Sequence, residues 1–390
     1  MTATVLQESE WIRNKKKFYY VCQYLGIILP STFAYLVWTT GNGDWFLGVP
    51  IIFYFGIAIF DLIFGVDLVN PTVDDEEQLK NDSFYDNVLM SLVPLYVLTY
   101  CFIAYVVATV SLSAAQFAYA VIGVGAMFSG VFVVTHELGH RTKHSLQSFF
   151  SRIVIALFGY GHFHVEHNRG HHVHVSTPED AASARMGENV YQFMLREIPS
   201  TIMRAFQLES TRLERLGLGF WSVKNEILQS YAMTLALYAG LTVVLGASII
   251  PFLLLSIFIG YFQLSMANYF EHYGLLREKL ENGRYAKCEP EHSWNSHHTF
   301  SNALTLQLQR HSDHHANATR PYQILRDYDD APQLPAGYPF LEFVCVFPPL
   351  WRRLMDRRLL SYVGYDMNKV NVCPKKRDAL FEKYHMKQPA

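Results

Sequence analysis

Histidine is the residue whose number and placing need explaining, because 17 of 390 residues are histidines and most fall in tight clusters. Four stretches carry the pattern: Thr135-His-Glu-Leu-Gly-His140, Glu166-His-Asn-Arg-Gly-His-His172, Asn268-Tyr-Phe-Glu-His-Tyr-Gly274 and Leu308-Gln-Arg-His-Ser-Asp-His-His315. On a helix, positions four apart share a face, so His136 and His140 can converge on one metal ion. His167 with His171 repeats that spacing, and His311 pairs likewise with His314 and His315. The doublets His171-His172 and His314-His315 point roughly 100° apart on a helix, so each can serve two ions. Nine imidazoles exceed the roughly six places around one transition metal, whereas two metals with four and five ligands use them all. Neutral imidazole suits iron, copper, zinc or nickel, and of these iron and copper readily activate oxygen.

Each cluster also has a plainer reading. A lone histidine at a membrane interface is more often a polar anchor than a ligand, and spacing alone leaves His272 open because no second histidine stands beside it. His144, His162, His164, His174, His292, His297, His298 and His385 have no ligand spacing of their own, and are read as surface or supporting residues. His136-Glu-Leu-Gly-His140 also fits the H-E-x-x-H signature of zinc proteases, in which Glu137 would be the general base. That site needs one further ligand and would leave seven spaced histidines without purpose. Glu137 is instead read with Asp180, Glu271 and Asp313 as carboxylates able to orient an imidazole by accepting its outer N–H.

The elements that must position these residues are apolar. Hydrophobic residues make up 51% of the chain and charged ones 17%, below the roughly 25% of soluble domains, and the net charge of −2 argues against nucleic acid as a partner. Six segments, near residues 18–38, 45–66, 88–110, 115–134, 231–249 and 251–269, have the length and apolarity of membrane spans, with Pro251 expected to divide the last two. The basic run Lys15-Lys-Lys17 predicts a cytoplasmic N-terminus, and an even number of spans returns the C-terminus to that side. One connection disagrees, since Val73-Asp-Asp-Glu-Glu77 is acidic. No short apolar run ends in a small-residue cleavage site, so no signal peptide is expected. The expectation is an all-α integral membrane protein, with six transmembrane helices and a cytoplasmic histidine-rich cap. Its parts are an N-terminal segment (1–17), four helices (18–140), a region with the second cluster (141–230), two helices (231–272) and a C-terminal region (273–390). The fourth and sixth spans both run outside to inside, which brings every histidine cluster to one membrane face. The five cysteines form no C-x-x-C pair, and no G-x-G-x-x-G is present, so electrons must come from another protein.

These stretches resemble the membrane-bound histidine-box di-iron family of desaturases and hydroxylases, and more finely its alkane 1-monooxygenases. The resemblance covers about residues 15–385 and includes the blocks Glu166-His-Asn-Arg-Gly-His-His-Val-His-Val-Ser-Thr-Pro-Glu-Asp180 and Asn268-Tyr-Phe-Glu-His-Tyr-Gly274. Arg141 and Ala181 depart from common family residues but are not ligand positions. The resemblance implies that His136, His140, His167, His171, His172, His272, His311, His314 and His315 bind two non-haem irons, with O2 as co-substrate. It implies terminal hydroxylation of medium-chain n-alkanes drawn from the lipid phase, with electrons from rubredoxin and an NADH-dependent rubredoxin reductase, in a bacterial inner membrane. The neighbouring alternative is a fatty-acid desaturase or lipid hydroxylase with the same metals. A histidine-lined transporter is more remote, because transporters place ionisable residues along a mid-membrane path. Arg352, Arg353, Arg357 and Arg358, with Lys375-Lys-Arg377 beyond them, offer a basic surface for an acidic carrier, or for anionic membrane lipid.

Overall fold

The computed structural model describes residues 2–141 and 145–385, and His144 and the side chain of His385 lie outside them. Six helices are long and apolar enough to cross a membrane: Asn14–Thr40, Gly43–Phe64, Ser83–Thr109, Ala114–His140, Glu226–Leu245 and Ala247–Glu271. They are the first to sixth spans below, and they make the chain an integral membrane protein. Among the described residues the remaining structure is the long polar helix Val190–Arg215, shorter helices, turns and isolated β-bridges.

Packing ranks the spans. Within its most apolar window the fourth span is 67% buried and the fifth 17%, so the fourth is the central post and the fifth a peripheral one. Small residues let the neighbours close in, as they commonly do between membrane helices. A Cβ on Gly130 would overlap the Tyr96 hydroxyl of the third span, and one on Gly125 would press on Ile259 of the sixth. The fourth span starts at a capping box made by Ser113 and Gln116, which satisfies its first backbone N–H groups at the far end from the histidines.

One sequence expectation needs correction. The fifth span stops at Leu245, because Gly246 takes a left-handed conformation (φ 87°) and its N–H closes on Thr242 O. Pro251 sits in the first turn of the helix Ile250–Glu271, where its missing N–H costs nothing, and so it does not make the break. The acidic connection is a helix, Val73–Asn81, whose Asp74, Asp75 and Glu76 occupy its first turn, where the helix dipole favours negative charge. Glu76 also accepts from Arg326 Nε at 2.5 Å, so this loop's charge has a structural use.

The cap is tied to the spans by buried polar contacts. Arg310, fully buried, donates to Leu325 O (2.7 Å) and Asp67 O (2.8 Å), joining the fourth histidine stretch to the end of the second span. Arg277 donates to Val173 O at 3.0 Å and so clasps the second stretch. The Trp294 backbone N–H and indole N–H bond Glu271 O (2.8 Å) and Tyr273 O (3.0 Å), fixing the chain where the sixth span ends.

Candidate metal centre

The nine imidazoles expected to bind metal come from four pieces of backbone. His136 and His140 occupy the last turns of the fourth span, and His272 caps the sixth. His311, His314 and His315 lie on the short helix His311–Ala316. The remaining three follow the helical turn Phe163–Glu166, across a π turn, His167–His171, that returns to α at His172–His174.

They gather into two groups. His136, His140, His167, His172 and His314 form one, and His171, His272, His311 and His315 the other, with the ring nitrogens of each group within 4.8 Å of one another. Both doublets are split between the groups. The pairing of His167 with His171 fails, however, because in the π turn the His172 N–H bonds His167 O, five residues back. That turn is one residue longer than an α turn, so His172 stands over His167 while His171 swings to the other group. On the α-helical His311–Ala316 the four-residue pair His311–His315 stays together and His314 parts from it.

The residues fit metal ions. Nε2 of His167 lies 3.1 Å from that of His140 and 3.0 Å from that of His172, and His172 lies 3.1 Å from His314. In the second group His311 Nε2 is 3.2 Å from His272 and 3.0 Å from His315. Donors about 2.1 Å from one ion and at right angles are about 3.0 Å apart, so these spacings suit nitrogens sharing an ion. His136 Nε2 is buried with no protein partner. Burial pushes His167, His172, His311, His314 and His315 well below the usual imidazole range, and His272 down to about 3, so all are neutral and carry a free lone pair.

The four carboxylates singled out by sequence behave differently. Asp180 Oδ2 accepts from His171 Nδ1 at 2.9 Å, which leaves Nε2 to face the group. Burial alone would lower the His171 pKa, but Asp180 outweighs it and raises it. Burial would raise Asp180, but His171 and Arg204 together hold it far below the carboxylate range. Glu271 Oε2 lies 3.4 Å from His311 Nε2, on the inward nitrogen, so it faces the group and does not support it from behind. Glu137 meets no imidazole; it pairs with Arg141 NH2 at 2.8 Å, since the helix turns it away from His136. Asp313 likewise holds Arg320 (2.8 Å), Asn317 and Tyr328, locking the turn after the fourth stretch.

Support also comes from residues that spacing did not single out. The His292 carbonyl lies 3.3 Å from His272 Nδ1, and Arg204 bridges Glu166 and Asp180. Glu166 adjoins a ligand-spaced histidine and was within reach of sequence; Arg204 and the His292 carbonyl meet the site only through the tertiary fold. Among the other histidines, His164 bonds Ser151 (2.9 Å), His162 bonds Tyr231 (2.9 Å), His174 lies 3.3 Å from Glu179 and His297 2.8 Å from Asp327. His298 bonds Ser296 at 2.8 Å. Arg352, Arg353, Arg357 and Arg358 are all exposed on the helix Pro348–Tyr362, whose other side buries Trp351 against Tyr269 and Tyr273.

An apolar cavity lies among the spans beside the groups. Phe53, Phe128, Phe132, Leu264 and Leu308 line it, and Glu271 stands at its wall. A smaller cavity next to it reaches His136 and His314 and shares Val133, Thr305 and Leu308 with the first.

Comparison with known proteins fits this arrangement. The family model described as fatty acid desaturase matches residues 111–343, which span all four histidine stretches. Alkane 1-monooxygenase 1 of Alcanivorax borkumensis is 40% identical over 380 residues, covering 97% of this chain and 94% of its own. Alkane 1-monooxygenases of Ectopseudomonas oleovorans (97% and 94% covered) and Pseudomonas putida (98% and 95% covered) are each 38% identical.

Proposed function

The chain belongs to the alkane 1-monooxygenase family, and from that premise we propose that it hydroxylates the terminal carbon of medium-chain n-alkanes to give 1-alkanols. The observation that carries the reading is an apolar cavity among the membrane spans, walled in part by Glu271 and adjoined by a smaller cavity that reaches His136 and His314, next to two groups of inward-facing imidazoles. Two non-haem irons, one held by each group, would supply O2 activation and the oxidising power for an unactivated C–H bond, which no side chain has.

The chain's own residues do the rest. Phe53, Phe128 and Phe132 make a narrow dry wall that admits an unbranched chain and presents its end. Asp180 and the His292 carbonyl hold His171 and His272 with their Nε2 atoms turned inward. The lipid phase is the store of substrate, and an opening among the spans explains why the enzyme lies in a membrane. Electrons would come from rubredoxin, kept reduced by an NADH-dependent reductase, and the exposed Arg352, Arg353, Arg357 and Arg358 offer an acidic carrier its landing surface. The basic run at Lys15–Lys17 supports a topology with both termini and the histidine cap in the cytoplasm, and the bacterial relatives support an inner membrane as its home.

The test is to supply purified protein with octane, O2, rubredoxin, reductase and NADH and to identify products by gas chromatography. 1-Octanol, with about two irons per chain by metal analysis, is the expected result. Alkenes from acyl lipids with no alcohol from any alkane would transfer the chain to the desaturase reading. Exchanging Arg357 and Arg358 for glutamate should raise the KM for rubredoxin with little change in kcat; an unchanged KM would remove the landing surface.

A further inference from the structure

The reaction proposed above consumes protons as well as electrons. One oxygen atom enters the C–H bond, and the other leaves as water after taking two electrons and two protons. Glu271 and Glu342 line the apolar cavity on the substrate side, and a further carboxyl stands on the side away from substrate.

The sixth span separates two environments. Gln263, Ala267 and Glu271, spaced by four, face the apolar cavity, while Ser265 and Asn268 face away from it. Behind this second face lies a separate small cavity of about 10 Å³, on the order of the space that one water needs. His167, His171, Glu166, Thr201, Asn268 and Glu197 all border it. Leu264 borders both cavities and forms the partition between them.

Glu197, on the helix Val190–Arg215, is fully buried there. Ser265 Oγ donates to its Oε2, and Asn268 Nδ2 donates to Oε1 at 2.7 Å. Among the described residues no arginine or lysine forms an ion pair with it; Arg196, its neighbour, is taken by Glu188 at 2.9 Å. A buried carboxyl held by two neutral donors and no cation is poor structural cement, because its charged form is left uncompensated. It suits a group that changes protonation state.

We propose that Glu197 delivers a proton for the water-forming half of the reaction, through one water in the cavity that it shares with His167 and His171. Burial raises its pKa to about 7, against the lowering by Ser265 and Asn268, with Glu166 adding to the rise and Arg196 opposing it slightly. Tyr160, His162, His167 and His171 are the other titratable groups bordering the cavity. Near neutral pH Glu197 is therefore present as both acid and base, as a proton donor that must be recharged each cycle should be. The acid form is lost as pH rises through about 7, so the rate limb assigned to it falls on the alkaline side.

This inference rests on the hydroxylase reading, and infrared spectroscopy separates the two because it needs no turnover. Difference spectra of the parent protein should show a buried protonated carboxyl band that titrates near pH 7 and is absent from Glu197→Gln. With octane, Glu197→Gln should keep its iron yet form alcohol about 10²-fold more slowly. Its residual rate should be flat across the alkaline limb, and NADH should be spent on hydrogen peroxide. Glu197→Asp should restore part of the coupling. Asn268→Leu, which removes a donor to the charged form, should move the infrared midpoint and the rate limb upward together. A Glu197→Gln enzyme with parental coupling and pH profile would overturn the proposal, as would a carboxyl that stays ionised throughout. If Glu197→Gln fails to fold, the parent titration and the paired shift in Asn268→Leu decide the matter. A parent that titrates but makes no alcohol would refute the hydroxylase reading instead.

Discussion

The two histidine groups draw on two of the same backbone pieces and yet are held in different ways. The group of five has His140 and His172 partly open to solvent, and among the described residues no carboxylate meets any of its imidazoles. The group of four is buried throughout, with Asp180 behind His171, a carbonyl behind His272 and Glu271 facing His311. One group thus has more neutral donors and the other fewer donors with negative charge beside them. Because a carboxylate raises the basicity of the imidazole it touches, the smaller group could hold an ion as firmly as the larger one. The difference teaches that ligand number alone does not rank the two sites.

Removing a ligand should separate the groups most strongly. His272→Ala leaves three imidazoles in its group, and alcohol formation should vanish with the loss of about one of two irons per chain, measured by plasma mass spectrometry. His140→Ala leaves four, and should keep part of the second iron although activity falls. Equal loss of both irons from both variants would mean that the groups fill as one unit. Asp180→Asn tests the charge side of the contrast. It should weaken iron at the group of four by roughly 10–100-fold in a chelator competition and leave the group of five nearly unchanged. Glu137→Gln is the matched control, since Glu137 supports Arg141 and no imidazole; the thermal midpoint should drop while iron content holds. The smallest effect on the metals is expected of Phe53→Ala, a cavity-wall change with no ring contact to either group. Both irons should stay, and the product ratio in a mixed-alkane assay should move toward longer chains.

Much of this arrangement can be read from the chain. Six apolar runs announce the spans, and the doublets His171-His172 and His314-His315 announce that neighbours diverge. Where reading fails, the reasons are local. Nothing in Glu166-His-Asn-Arg-Gly-His-His172 signals a π turn, so four-residue spacing misassigns His171 relative to His167. Pro251 looks like the breaker of the last two spans, but Gly246 breaks them, because a proline is harmless in a first turn and only the glycine adopts the left-handed conformation cheaply. Carboxylates were the least legible. Glu137, Asp180, Glu271 and Asp313 all stand near histidines in sequence, yet their partners are fixed by which helix face each occupies and by arginines, of which Arg141 and Arg320 are near and Arg204 lies 24 residues away. Glu197 had no sequence signal at all, since its meaning lies in the span it packs against.

The π turn at His167–His171 also sets how tolerant the site is to changes of length. A one-residue insertion inside a helix turns every later side chain by roughly 100°, and this stretch carries such an extra residue between its first histidine and its last two. An α turn of unchanged length would instead put His171 over His167 and swing His172 away, sending the two imidazoles to each other's destinations with no ligand residue altered. A chain of unchanged histidine content would then be a scrambled one. The histidine pattern therefore works only together with the π turn, and deleting one residue between His167 and His171, which an α turn would absorb, should leave both imidazoles on their own groups.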